Sequence, residues 1–482
     1  MSSAAPAYPL SAYGALRIPA AAFELFAYLA AVAIATLCFL AGWLPVNGAV
    51  VLTVVLLASL IVMSWINLGQ GRHPCFLFLC MLMLFQGGRL IAYCLGGVTD
   101  PLAVGLMLQV PFAVTRNVSG VVLLCLTLSA IGVYTPCRWN YRLVPPPSDI
   151  GVSRYLPYLY LVFVASLPFL LYKNYLYFRY VQAHGGYVVF FSDYGSLAAS
   201  VPFVVRIMAR LPLPVLLLIF VFESRKKLLY AIVTLYFVSS VVLLLTGTRM
   251  ASFSLILTLW YVAWIKSAKP ARFWRLAVLA AALVIVANLI ALARFGEEIE
   301  GRAAADAVGF IATQGISLGV TEVAVMHPEK FRPYVFSYLL HELQLEFVAS
   351  DVSSYFRGRQ FGYDVSVFLN PPLFSTGIAT AGSYVGEAYV ICGTLGVVVI
   401  SLLLGGGLRF LYTCSSNLKA LVVVAFVMPQ VLLLSRGLLM GWASSLLRAF
   451  VLLLPIVLGW SLYQFMAPVF RAQHETDESS LA

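Results

Sequence analysis

Charged residues are scarce in this sequence. Only 10% of the 482 residues are Asp, Glu, Lys or Arg, whereas 62% are hydrophobic and the mean hydropathy is +0.95. A soluble globule of this length needs far more polar surface than such a composition supplies. The composition therefore excludes a soluble protein and requires lipid as the solvent.

Paired cysteines and acidic metal motifs are also missing. The eight cysteines lie mostly in or beside apolar runs and include no CxxC pair, and the sequence contains no DxD motif. These absences argue against a disulfide framework and against a metal site with the usual ligand spacing. We therefore expect no metal and no cofactor. A basic stripe is missing as well, because the net charge of +11 is spread over loops, so we expect no nucleic-acid partner.

Long apolar runs are present instead. A helix needs about 20 apolar residues to cross the hydrocarbon of a bilayer, whereas a barrel would show alternating segments of about 10 residues. The runs predict an all-α, polytopic integral membrane protein with about 12 transmembrane helices. These are 21–43, 47–68, 74–95, 119–135, 156–178, 201–222, 228–245, 251–265, 276–293, 383–404, 420–434 and 449–465.

The distribution of Lys and Arg orients these helices, because basic residues of short loops are retained in the cytoplasm. One topology, with the N-terminus in the cytoplasm, places all the short basic loops on the cytoplasmic side. It predicts five parts: a cytoplasmic N-terminus (1–20), nine transmembrane helices (21–294), a large external loop (295–382), three further helices (383–470) and a cytoplasmic tail (471–482).

Five arginines are not explained by this charge rule. Arg249, Arg294 and Arg436 lie at the predicted external ends of three different helices, while Arg206 and Arg210 lie one turn apart in the outer half of another. A charge at membrane depth costs about 2.5–3.5 kcal/mol and usually has a function or a partner. Because arginine offers bidentate donors to phosphate oxygens, the pattern indicates a diphosphate site. The alternative is that each arginine extends to the interface or pairs with a carboxylate.

The external loop 295–382 combines charge with helical periodicity, as in 331–343, which is typical of amphipathic helices at the interface. We expect it to fold as a cap over an external cavity. Ordinary surface solvation would produce a similar mixture of polar residues. The residues in it that a site for sugar and phosphate would require are His327, His341, Asp351, Arg357, Arg359 and Asp364.

Glu387 is the candidate for proton transfer. It lies about one turn inside the predicted external end of a spanning helix, where a carboxylate loses hydration and can act as a general base. The alternative is an ion pair with one of the external arginines, and the two roles are compatible.

Six short motifs follow one another in the second half of the chain. They are Leu-Thr-Gly-Thr-Arg (245–249), Ala-Leu-Ala-Arg-Phe (291–295), Arg-Gly-Arg-Gln-Phe-Gly-Tyr-Asp (357–364), Leu-Asn-Pro-Pro (369–372), Gly-Ser-Tyr-Val-Gly-Glu-Ala-Tyr (382–389) continuing to Gly396, and Ser-Arg-Gly (435–437). Taken in this order, they resemble the bacterial Wzy-type polymerases of O-antigen and oligosaccharide repeat units. The resemblance covers about 246–448, and the N-terminal half matches only in hydropathy.

This resemblance implies a GT-C-like glycosyltransferase at the periplasmic face of the bacterial inner membrane. The growing glycan would move from its polyprenyl diphosphate carrier to the non-reducing end of an incoming lipid-linked unit. Membrane lipid, a flippase and a chain-length regulator are the partners that the resemblance implies.

The chemistry of the residues and the family resemblance together indicate a hypothetical role for each candidate. Arg249, Arg294 and Arg436 would bind the diphosphates, Glu387 would be the base and His341 a reserve base. The remaining predicted substrate contacts are Arg357, Arg359, Asp364, Tyr384, Arg206 and Arg210.

Two other functions stay open at this point. An O-antigen ligase would have a similar membrane plan but would transfer the glycan to lipid A-core. A flippase would move the lipid-linked sugar without making a bond, although the inverted repeats of many transporters are not visible.

Overall fold

The computed structural model describes residues 17–102, 115–139, 141–147, 155–184, 194–245, 249–267, 307–343, 357–375, 380 and 382–455, with isolated helical positions at 274–285 and 457–461. This described part contains helices and no strand, as an all-α membrane protein requires. Only helices and closed barrels satisfy every backbone polar group inside lipid.

The helices are numbered here in chain order, leaving out single turns of 3₁₀ helix. They are α1 (Arg17–Leu40), α2 (Val46–Asn67), α3 (Pro74–Phe85), α4 (Gly88–Cys94), α5 (Arg116–Arg138), α6 (Leu156–Ala183), α7 (Tyr194–Ala199), α8 (Phe203–Met208), α9 (Pro212–Phe222), α10 (Lys226–Leu245), α11 (Arg249–Lys266), α12 (Ala307–Gln314), α13 (Ile316–Met326), α14 (Pro328–Phe331), α15 (Val335–Leu343), α16 (Phe361–Leu369), α17 (Pro371–Ser375), α18 (Tyr384–Cys414), α19 (Leu418–Leu433) and α20 (Gly441–Gly459).

Nine helical segments in the described residues are long and apolar enough to cross a membrane, or ten if the bent pair α3–α4 counts as one span. Eight of the nine coincide with predicted spans. The ninth, Val308–Met326, lies inside the segment that the sequence analysis assigned to the external loop. Its hydropathy is the lowest of the nine because it carries Gln314, Thr321 and Glu322. For this reason the sequence pattern indicated an amphipathic helix and not a span. The predicted helix 276–293 lies largely outside the described residues, so the number twelve stays a prediction.

Helix α5 lies at the centre of the bundle. It packs along α18 and α2, and most of its residues are buried among other helices. At its C-terminal end Arg138 donates through Nε and Nη2 to the carboxylate of Glu24 on α1, at 3.1 and 3.2 Å. Asn67 at the end of α2 donates to the same carboxylate. These contacts join the ends of three helices.

Three of the membrane-embedded elements are interrupted. Helices α3 and α4 form a pair bent by 63° at residues 86–87, and α12 is separated from α13 at Gly315. Helix α18 leaves helical geometry at Cys392 and Gly393. Irregular backbone at membrane depth is tolerated only where protein or a polar cavity covers it, and such breaks often mark ligand sites.

The break in α18 is a reversal of direction. Gly393 has φ +61°, which glycine adopts readily, and a Cβ on Gly396 would lie 2.2 Å from the carbonyl oxygen of Ala388. In a continuous helix, residues eight apart would be about 12 Å apart along the axis. Residues 384–391 therefore form a half-helix that folds back against the spanning part of α18.

The half-helix starts deep in the bundle. The hydroxyl of Tyr384 hydrogen-bonds to Ser129, which lies more than halfway along α5 from its predicted external end. The prediction of one continuous span over 383–404 is wrong in this respect. Hydropathy does not detect the reversal, because the sequence is apolar on both sides of it.

Candidate functional site

The interrupted helices meet at a buried polar cluster centred on Gln86. Its Nε2 donates to Ser383 Oγ at 2.8 Å and to the carbonyl oxygen of Ser435 at 2.6 Å, and its Oε1 accepts from the hydroxyl of Thr321 at 3.1 Å. The hydroxyls of Thr321 and Ser383 lie 2.7 Å apart. All four side chains are buried. One glutamine thus links the bend after α3, helix α13, the start of α18 and the turn after α19.

Glu387 is placed by this cluster. Ser383 caps the half-helix by accepting the N–H of Gly386 at 3.1 Å, which sets Glu387 in the first turn. The Glu387 side chain is 5% exposed, and its Oε2 accepts the backbone N–H of Leu439 at 3.0 Å. The carboxylate is therefore held between the half-helix and the chain that follows α19. The sequence analysis placed it near the end of a continuous span, whereas it lies on the folded-back half-helix.

Arg436 lies in the turn that Gln86 binds. Its Nη1 donates to Gln314 Oε1 at 2.8 Å, and its guanidinium lies 5.6 Å from the centre of the Phe85 ring. A Cβ on Gly382 would come within 2.7 Å of the carbonyl oxygen of Gly437, so only glycine lets the two chains approach this closely. Arg436 and Glu387 are consequently parts of one packed unit.

Four polar residues of these interrupted helices were not predicted as site residues. Gln86 and Arg89 lie inside the predicted span 74–95, and Thr321 and Glu322 lie in the predicted external loop. A signal was present for Arg89 and Glu322, since charged residues inside apolar runs are expected to be functional. For Gln86 and Thr321 no comparable signal exists, because uncharged polar residues are common in spanning helices.

The loop candidates form a separate arrangement. The carboxylate of Asp364 is buried, accepts from the Tyr338 hydroxyl at 2.6 Å and accepts the N–H of Gly358 at 3.0 Å. Gly358 has φ +86° and lies between Arg357, which is exposed, and Arg359, which is half-buried. Asp364 therefore stabilises the turn that carries the two arginines.

Two other predicted residues, His341 and Tyr384, form hydrogen bonds with groups of the protein itself. The Nδ1 of His341 lies 2.9 Å from the carbonyl oxygen of Ser337, one turn earlier in the same helix. Tyr384 is fully buried, and its hydroxyl meets Ser129 in the bundle interior. Neither of these two hydrogen bonds involves Glu387.

The remaining predicted arginines divide into two groups. Arg206 belongs to α8 and Arg210 to the turn after it, and α8 packs against α6. The described contacts of α8 do not include the Gln86 cluster. Arg249 is the first residue of α11, but its side chain is outside the described residues, as is the whole of Arg294. Their convergence on one diphosphate stays a prediction.

A group with the composition of metal ligands lies at the other end of α3. One ring nitrogen of His73 and the sulfurs of Cys75 and Cys137 lie within 4.8 Å of one another, and all three side chains are buried. His73 Nδ1 accepts the N–H of Cys75, and the Cys137 thiol donates to the Gly405 carbonyl. Helix α3 separates this group from Gln86 by about 18 Å, so it is not part of the site built around Glu387.

Gln86 provides a test of the cluster. We expect Gln86→Ala to lower the activity of the protein at least tenfold, because a displacement of about 1 Å in a reacting group can cost about 100-fold. The variant removes the Gln86 donor from the buried carbonyl of Ser435, and an unsatisfied buried polar group costs about 1–3 kcal/mol. Rates of the purified variant, normalised to folded protein by size-exclusion chromatography, measure the effect.

Asn174→Ala is the matched control for Gln86→Ala. The Asn174 amide is also buried and donates to the carbonyl oxygen of Ser239 at 2.8 Å, but it joins α6 to α10. Its loss should lower thermal stability without lowering the rate per folded molecule. Equal loss of rate in both variants would contradict the positioning role of Gln86.

The fold and the site define a multi-pass α-helical membrane protein with a charged, polar cluster buried where interrupted helices meet. The family model of the O-antigen polysaccharide polymerase Wzy matches residues 23–465, nearly the whole chain. The chain therefore belongs to the O-antigen polysaccharide polymerase Wzy family, which confirms the resemblance found in the sequence. Comparisons with curated proteins and with solved structures gave no match.

Membership of this family establishes the general activity. The protein is a membrane enzyme of the glycosyltransferase type that polymerises O-antigen repeat units. Its substrates are lipid-linked oligosaccharides in the membrane.

Proposed function

We propose that the cluster around Gln86 is the active site and that it acts on repeat units linked to polyprenyl diphosphate. The observation that carries the proposal is the shared attachment of Glu387 and Arg436: Gln86 binds both the Ser383 cap and the Ser435 carbonyl. A candidate base and a candidate phosphate ligand are thereby held in one buried unit.

The proposed reaction is a single displacement at the anomeric carbon of the growing chain. A hydroxyl oxygen at the non-reducing end of the incoming unit attacks this carbon, and the bond from the carbon to the phosphate oxygen breaks. The hydroxyl proton passes to the Glu387 carboxylate, and the diphosphate leaves with the bonding electron pair. Arg436, together with Arg249 and Arg294, stabilises the charge that develops on the diphosphate. Such a displacement inverts the anomeric configuration.

The loop candidates have an accessory role in this proposal. Asp364 holds the turn that presents Arg357 and Arg359, and these two arginines contact the donor or the acceptor glycan. His341 is kept as a reserve base. Tyr384 positions the half-helix through its buried hydroxyl and does not contact the sugar. Arg206 and Arg210 contact the lipid-linked substrate elsewhere on the bundle.

The same proposal places the reaction at the periplasmic face of the bacterial inner membrane, without a metal. The orientation rests on the retention of basic loops in the cytoplasm. The absence of a DxD motif from the sequence supports a mechanism in which arginines replace a metal. A flippase that delivers the lipid-linked unit and a chain-length regulator are the proposed partners.

Polymerisation by the purified protein tests this function. We expect protein in detergent, supplied with a lipid-linked repeat unit and a chelator, to produce a ladder of longer glycans and free polyprenyl diphosphate. Heat-inactivated protein is the control. A ladder that disappears with chelator would refute the metal-free mechanism. Transfer to lipid A-core without a ladder would identify a ligase, and movement of lipid between leaflets without a new bond would identify a flippase.

A further inference from the structure

Lys173 lies on the face of α6 that packs against α8. Leu170 of α6 and Ala209, which ends α8, belong to one apolar cluster. Val205 of α8 packs against a second cluster, which contains Tyr177 of α6. Lys173 comes three residues after Leu170 and four before Tyr177, so the helical period puts all three on one face of α6. Lys173 is therefore bracketed by the two clusters that join the helices.

Two arginines lie on the opposite side of this junction. Arg206 follows Val205 in α8, and Arg210 follows Ala209 in the turn after it. The ammonium of Lys173 and the guanidinium of Arg210 interact electrostatically, as like charges. The packing of α6 on α8 thus gathers three cations, and all three side chains are half-buried.

The nearby protein supplies little negative charge to this junction. Glu223 is the only carboxylate in the described residues from α6 to α10, and it pairs with Arg225 at 2.9 Å. The length of α9 separates Glu223 from the junction by about 16 Å. Lys173 and Arg206 donate no hydrogen bond within the described part of the chain, and the Nε of Arg206 is buried there. Cations at membrane depth usually have a partner or a function, which points to an anionic ligand.

We propose that Lys173, Arg206 and Arg210 bind the diphosphate of the incoming lipid-linked unit, at a site separate from the one that holds the leaving diphosphate. This inference rests on the proposed function. Guanidinium forks and lysine ammonium groups are the usual protein ligands of phosphate oxygens. Half-burial fits this role, because it covers the apolar stems of the side chains and leaves part of each open to a ligand.

The chemistry of the transfer separates the two diphosphates. The incoming unit reacts through a hydroxyl at its non-reducing end, whereas its diphosphate is attached at its reducing end. The oligosaccharide of this unit therefore lies between the attacked carbon and the diphosphate of the same unit. An anion site away from Glu387 accommodates that length. The described contacts of α8 fit this requirement, since they do not include the Gln86 cluster.

Equilibrium binding of radiolabelled farnesyl diphosphate to the full-length protein in detergent tests the site. We expect two molecules to bind to each wild-type chain. Arg206→Ala should weaken one of these sites about tenfold or more, by the loss of charge-assisted donors, and Arg206→Lys should recover part of the loss. Arg436→Ala should weaken the other site, and the double variant both. A single molecule bound by the wild type, or two unchanged sites in Arg206→Ala, would overturn the proposal.

Phosphatidylglycerol distinguishes the two possible sources of the phosphate ligand. Added in excess to the same protein, it should leave both molecules of farnesyl diphosphate bound. Displacement of only the molecule that Arg206→Ala loses would assign the junction to a membrane phospholipid, and would overturn its assignment to the substrate.

Polymerisation kinetics separate binding at this junction from chemistry. Lys173→Ala and Arg206→Ala should raise the KM for the lipid-linked unit about tenfold and change kcat much less, because the junction does not touch the reacting atoms. A fall in kcat at unchanged KM would contradict this role.

Arg116→Ala is the matched control for these variants. Arg116 also lies at a predicted external helix end, but its Nη2 donates to the carbonyl oxygens of Phe39 and Leu44 at 2.7 and 3.1 Å. Its loss should leave the number of bound diphosphates and the KM unchanged. An equal rise of KM in Arg116→Ala would show that the effect is not specific to the junction.

The wild-type ladder separates this inference from the proposed function. A ladder made by protein that binds one farnesyl diphosphate would refute the inference alone. No wild-type ladder would refute the proposed function itself.

Discussion

Glu387→Gln is expected to lower the rate of glycan polymerisation by about 100- to 10,000-fold, the usual contribution of a positioned general base. Glutamine has the shape of glutamate, and its amide oxygen still accepts the N–H of Leu439, which Glu387 Oε2 accepts at 3.0 Å. The half-helix and its Ser383 cap therefore remain in place. The single change is that no carboxylate is available for the acceptor proton.

Initial rates of ladder formation, measured at saturating lipid-linked substrate, provide the test of Glu387. Farnesyl diphosphate binding should be retained, because the base does not contact the leaving group in this scheme. Glu329→Gln is the control: Glu329 is an exposed residue 3.6 Å from His327. A Glu387→Gln enzyme that polymerises at the wild-type rate would remove Glu387 from the mechanism and leave His341 as the candidate base.

Arg436→Ala should lower kcat/KM by about 100- to 1,000-fold, which is the typical cost of deleting one donor that stabilises developing negative charge. Arg436→Lys should recover only part of this loss, because lysine supplies a point charge without the bidentate fork. Some of the loss arises from the ground state, since Gln314 loses the hydrogen bond that it accepts at 2.8 Å.

The measurements for Arg436 combine rates with diphosphate affinity. We expect both to fall in Arg436→Ala, whereas only the rate falls in Glu387→Gln. Arg225→Ala serves as the control, because the Arg225 side chain is largely exposed and its partner is Glu223, at 2.9 Å. Wild-type affinity for farnesyl diphosphate in Arg436→Ala would show that this arginine does not bind the leaving group.

Part of the proposed site could be predicted from the sequence. Glu387 and Arg436 are charged residues at the ends of apolar runs, a position that composition alone makes conspicuous. The close approach of Gly382 to Gly437 then brings their segments together. The link between them is Gln86, which is about 300 residues away in sequence from Ser383 and carries no charge. No local pattern indicates such a partner.

The contacts of Asp364, in the predicted external loop, could not be predicted from the sequence. Asp364 is a carboxylate in a segment that matches the family, and the sequence analysis predicted a substrate contact. In the structure it is buried against Tyr338 and Gly358 and shapes the turn beside Arg357. A sequence reveals that a carboxylate is present, whereas its hydrogen-bond partners depend on which helix packs over it.

The sequence by itself determined the class of the protein and its family. With so few charges, the chain can only be solvated by lipid, and each apolar run of about 20 residues must become a helix because unpaired backbone groups are too costly in hydrocarbon. Only the tertiary structure decided where these helices are interrupted and what meets at the breaks. Hydropathy does not detect the reversal at Gly393 or the break at Gly315, so the burial of Gln86, Thr321 and Ser383 in one cluster depends on packing between distant segments.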